Sequence, residues 1–90
     1  MRYAGLYYKN NRIIDNHIID DILQKEGLSW LLDCELENAE IEIKNATIIW
    51  KSGTLYSGRW HYGIWENGTF HGIWENGIWV NGDKLGKFLS

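Results

Sequence analysis

The sequence predicts a mainly β protein with a small α+β segment at its N-terminal end. Eight of its ten glycines fall between Gly53 and Gly86, four or five residues apart. A large apolar side chain follows most of them by two positions: Leu55, Trp60, Trp65, Phe70, Trp74, Trp79 and Phe88. Before residue 34 the pattern is different, with one helical period and several short apolar runs.

Along residues 1–33, Tyr3–Tyr8 and Arg12–Ile14 flank the polar turn Lys9-Asn10-Asn11, which predicts a hairpin. Asp15 or Asn16 can cap a helix over about 16–26, with Asp20 and Asp21 favourable near its positive end. Ile18, Ile19, Ile22 and Leu23 share one face of that helix, and Gly27 can close it. Ser29–Leu32 reads as a short strand whose Trp30 anchors the helix to the segment after it. From 34 to 90 a repeat region is expected. Small-x-large is already present in Cys34-Glu35-Leu36 and Ala39-Glu40-Ile41, slips phase at Lys44–Ala46 and resumes at Ile48-Ile49-Trp50. Two positions facing one confined interior must share its volume, so a large residue at one demands a small residue at the other.

Two architectures fit this alternation. In a meander, three-residue strands would be joined by Asn-Gly turns at Asn67-Gly68, Asn76-Gly77 and Asn81-Gly82. The alternative comes from a resemblance. The unit Gly-x-Trp-x-x, written GIWEN at 63–67 and 72–76, resembles the repeat of the pentapeptide-repeat family: a small residue, a polar residue, a large apolar residue and two more. It is closer still to the Trp/Gly-rich repeat segments of uncharacterised bacteriophage proteins. The resemblance covers roughly residues 34–90 and implies a short right-handed β-solenoid with four units per coil. Such a coil would stack Arg59 over Ile78 and Thr54 over Ile73. Lys84 stands where a large apolar residue is expected, so it should point outward while Leu85 fills the interior.

Composition excludes several functions. Ninety residues make one domain near the lower size limit for a self-sufficient core, and self-association would add buried surface. Acids dominate residues 13–43 and the repeats are nearly neutral, with no Lys/Arg cluster, so no nucleic-acid partner is expected. That distribution also argues against the nucleic-acid mimicry the pentapeptide resemblance implies. The single cysteine, Cys34, rules out an internal disulfide and reads as a small buried residue. No leader or membrane span is apparent, and a cytoplasmic location is expected, in the host cytoplasm if the chain is phage-encoded.

Catalysis is not expected. Glu66 and Glu75 occupy equivalent positions in the two GIWEN copies, which repeat copying explains without acid/base chemistry. His61 and His71 should lie on different faces and lack a third ligand, so no metal site is expected. No nucleotide or nucleophile motif is present, and no cofactor is called for. The remaining candidates concern binding. Ile49, Ile64, Ile73 and Ile78 precede core positions and should face outward as an apolar strip, joined near the terminus by Leu85 and Phe88. Tyr56, Arg59, His61 and Tyr62 form a possible nucleotide or glycan surface. The leading expectation is a non-enzymatic protein-interaction module, a small phage protein that self-assembles as a homo-oligomer or binds and inhibits a host protein. A small-ligand binder and a structural virion component are the alternatives.

Overall fold

The computed structural model describes residues 1–89; Ser90, the last residue of the expected repeat region, lies outside the described residues. The protein is mainly β with one short α-helix near its N-terminus. The hairpin is present. Strand β1 (Tyr3–Tyr8) pairs antiparallel with β2 (Asn11–Ile13). Only Lys9 and Asn10 lie between them, both at positive φ, as the mirror-image turns of two-residue hairpins require. Helix α1 (Asn16–Lys25) comes next, its first N–H groups capped by Asp15 Oδ1, which accepts from His17 and Ile18. Ile19 and Leu23 are buried, Ile22 packs partly against them, and Ile18 faces solvent, so the apolar face is narrower than its spacing suggested.

Two expectations are overturned here. Ser29–Asp33 is a 3₁₀ helix, not a strand; short apolar runs do not distinguish the two by pattern. Residues 34–46 are not short repeat units: they hold one long strand, β3 (Glu35–Lys44), paired antiparallel with β4 (Thr47–Ser57), whose Ile49-Trp50 and Thr54-Leu55 begin the repeating stack. The phase slip at Lys44–Ala46 is their turn, with Asn45 and Ala46 both at positive φ. Because β3 runs backwards over β4, its small residues meet glycines: Ala39 lies against Gly53 and Cys34 against Gly58. Strand β1 pairs parallel with β3, so the N-terminal segment extends the same sheet.

Seven two-residue strands complete the chain: β5 (Arg59–Trp60), β6 (Ile64–Trp65), β7 (Thr69–Phe70), β8 (Ile73–Trp74), β9 (Ile78–Trp79), β10 (Asp83–Lys84) and β11 (Lys87–Phe88). None pairs with its sequence neighbour. Each pairs parallel with a strand 14 or 15 residues away, which removes the Asn-Gly meander. Three ladders result: β4–β6–β9, β4–β7–β10 and β5–β8–β11. Successive layers are tied by backbone bonds of 2.8–3.0 Å, including Ile78 N–H to Gly63 O and Val80 N–H to Trp65 O. The stacking repeats every three units, not four. Arg59 therefore lies over Ile73, and Thr54 over Thr69, correcting the expected pairs.

The interior is a stack of rings. Trp50, Trp65 and Trp79 stack in the first ladder with centroids 4.6 and 5.4 Å apart. Trp60, Trp74 and Phe88 stack in the third, both steps 5.4 Å. Rings of different ladders meet edge-on, as for Trp60 with Trp65 and Trp65 with Phe70, an arrangement suited to the aromatic quadrupole. Space is made by glycine. At Gly77 φ is +129°, and an added Cβ would collide with Gly63 O and lie 3.0 Å from Trp60 Nε1. Trp50, Trp60 and Trp65 keep buried indole N–H groups that find no partner among the described residues.

Candidate interaction surface

The two ends of the ring stack differ. At the N-terminal end β3 covers β4, and Trp30 of the 3₁₀ helix packs edge-on against Trp60 at 5.2 Å. That end is closed. At the other, the backbone carbonyls of Gly77, Trp79, Gly82, Lys84, Gly86 and Phe88 have no following layer among the described residues. Trp79 and Phe88 are half-buried there. Lys84 takes the apolar place of the second ladder, below Leu55 and Phe70. Its Nζ lies 5.4 Å from the Trp79 ring centroid and 4.9 Å from that of Phe88. The expectation that Lys84 points outward and Leu85 fills the space is thus reversed. Although the residue remains exposed, its ammonium gains the faces of two rings.

Four large apolar side chains of this last layer face solvent: Ile78 (60% exposed), Val80 (62%), Leu85 (63%) and Leu89 (52%). Ile49, Ile64 and Ile78 share one outward ladder, and their exposure rises from buried through half-buried to exposed as covering layers run out. Ile73 is not with them. It sits in the third ladder between Arg59 and Lys87, so the expected strip of four isoleucines is a strip of three. Phe88 turns its ring into the stack beneath Trp74, whereas Leu85 is fully outward. Val80 escaped sequence reasoning. The signal was its position one residue after a core ring, where earlier units carry Glu66 and Glu75.

The four residues read as a ligand surface are each engaged within the protein. Tyr56 donates its hydroxyl to Glu37 at 3.0 Å, which pushes its pKa up, and its ring lies 6.0 Å from His71. Arg59 pairs with Glu75 at 2.5 Å. His61 stacks on Trp30 at 5.3 Å, and the Tyr62 hydroxyl lies 3.2 Å from Thr47 Oγ1. His61 and His71 come after core rings of different ladders, and no group of three His, Cys, Asp or Glu could hold a metal among the described residues. Glu66 lies 3.5 Å from Lys51, which also reaches Glu42 at 3.3 Å.

An open depression of about 790 Å³ lies elsewhere, at the two hairpin turns, lined by Tyr7, Lys9, Glu42, Lys44 and Lys51 among others. Cys34 is buried, and loss of solvent pushes its thiol up to about 11, away from nucleophilic character. Among the described residues no helix is long and apolar enough to cross a membrane. No family model, no curated protein and no solved structure matches this chain.

Proposed function

We propose that this chain is a non-enzymatic protein-interaction module: a short three-sided β-solenoid closed at its N-terminal end and binding through its last layer. One observation carries the reading. Ile78, Val80, Leu85 and Leu89 are all exposed on the layer of β9, β10 and β11, whose strand edges have no following layer among the described residues. Monomeric proteins seldom leave clustered apolar groups and open strand edges uncovered together. The resemblance of the units to Trp/Gly-rich bacteriophage repeats adds a host protein to the candidate partners, alongside a second copy of the chain.

The test pairs light scattering with affinity capture, comparing the native chain with a double variant, Val80→Asp and Leu85→Asp. Both positions are exposed, so the fold should survive. The native chain should have a mass above 10.6 kDa or retain another protein stoichiometrically, and the variant should lose that property. A native monomer that retains nothing, or retention indifferent to the substitutions, would overturn the reading.

A further inference from the structure

The layer of β9, β10 and β11, uncovered among the described residues, is complementary to itself. Backbone N–H groups of Asp83 and Leu85 donate back to Gly68 and Phe70. By strand alternation, the N–H and C=O of the intervening Lys84 point forward, out of the end. The same holds for Trp79, between Ile78 and Val80, and for Phe88, between Lys87 and Leu89. Because the chain climbs as it winds, β9, β10 and β11 lie at successive heights, with β10 in the middle. A two-fold axis through β10 therefore brings all three edges to their counterparts at once. Resting on the binding role proposed above, we infer that the last layer is covered by the last layer of a second copy, in an end-to-end dimer about that axis.

The forward-pointing groups set the register. Lys84 exchanges both backbone bonds with its own copy, and Trp79 exchanges them with Phe88 of the second copy, so the rings continue the stack. Ile78 then faces Leu89 of the other chain, bringing together two side chains that each chain alone leaves exposed. Association stops at two, because the other end is closed by β3 and Trp30, and a heterologous, fibre-forming contact needs two open ends.

This contact places the two Lys84 ammonium groups opposite each other across the axis, among the rings of Trp79 and Phe88 from both chains. Like charges directly opposed in a sheet are destabilising, so Lys84 sets the strength of the contact. Added salt should tighten the dimer by screening this repulsion. Lys84→Leu, which restores the residue type of Leu55 in the same ladder, should tighten it at least about tenfold.

Sedimentation of the full chain and of the Lys84→Leu variant, each at low and high sodium chloride, measures the dissociation constants. A second experiment reads the register: Ile78→Cys and Leu89→Cys proteins are prepared separately, mixed, and oxidised with copper phenanthroline. A covalent dimer should form in the mixture, and neither protein alone should give one. A Lys84→Leu variant that dimerises no more tightly than the native chain, or a dimer without the mixed cross-link, overturns this contact. If both chains stay monomeric while foreign-protein retention still depends on Val80 and Leu85, the second copy is overturned and the binding role stands. If retention is also indifferent, both fall.

Discussion

Three glycine-to-alanine variants separate two reasons for glycine that coincide in most of the repeats. At Gly27, φ is +77° and an added Cβ would meet nothing within 4 Å, so alanine adds backbone strain alone, about 1 kcal/mol. Gly72 is the converse. Its φ lies outside the left-handed region, but a Cβ would come within 2.5 Å of Gly58 O and 2.7 Å of Leu55 Cδ2. Backbone cannot give way as a flexible side chain does, so overpacking of about 1–3 kcal/mol is expected. Gly77 combines a φ of +129° with collision against Gly63 O. Strain of about 1–3 kcal/mol at such a φ adds to the overlap, for a total of roughly 2–6 kcal/mol. Urea unfolding monitored by tryptophan fluorescence measures all three, and each kcal/mol corresponds to about 4–8 °C in Tm for a chain of this size. The expected order is Gly27→Ala, then Gly72→Ala, then Gly77→Ala. A Gly72→Ala variant as stable as the native chain would refute the claim that the layers approach too closely for a Cβ.

Trp65 is fully buried between Trp50 and Trp79, and Trp65→Ala should cost about 3–5 kcal/mol by the same unfolding assay. Trp65→Phe should cost much less, because it keeps a ring and removes a buried indole N–H without a partner; equal losses would mean that the N–H is satisfied after all. Alkaline titration should also weaken the fold. Burial raises Cys34 from 9.0 to about 11 and Tyr3 from 10.0 to about 12, so each favours its protonated form more strongly when folded. That contribution is complete below pH 9 and is lost as pH rises through about 11 and 12. Stability that stays flat to pH 12 would contradict the burial of both groups.

Much of the interior was legible from sequence because glycine two positions before a ring is a volume constraint. Trp60, Trp65, Phe70 and Trp74 are buried as that spacing requires. The direction of β3 was not legible. A small residue and a large one two apart read the same whichever way the strand runs, and the left-handed turn at Ala46 carries no composition signal. The number of units per layer was present but disguised. The unit Gly68–His71 is one residue shorter than its neighbours, and Gly82–Leu85 is short in the same way 14 residues later. Both lie in the second ladder, so the shortening belongs to one side of the two later layers, while the first layer keeps the five-residue unit Gly53–Ser57 there. Lys84 was misread because a charge at an apolar position is expected to turn away. At an open end it can instead lie across exposed rings. The outward placement of Val80 depends on the three-unit layer, which sets it one residue past a ring of the first ladder.

The 14-residue layer has a consequence for how such a chain can change length. Residues 63–76 form one complete circuit, from β6 through β8, and the next circuit begins at Gly77 in the same ladder. Deleting or duplicating 14 residues there keeps every later unit in its own ladder. The two identical GIWEN stretches, by contrast, begin nine residues apart and belong to different ladders. Recombination between them would remove two units of three, rotating all later residues by two sides and placing the short unit under a long one. The conspicuous repeat in the sequence is therefore the wrong ruler for evolution to use. Viable relatives should differ in length by whole circuits.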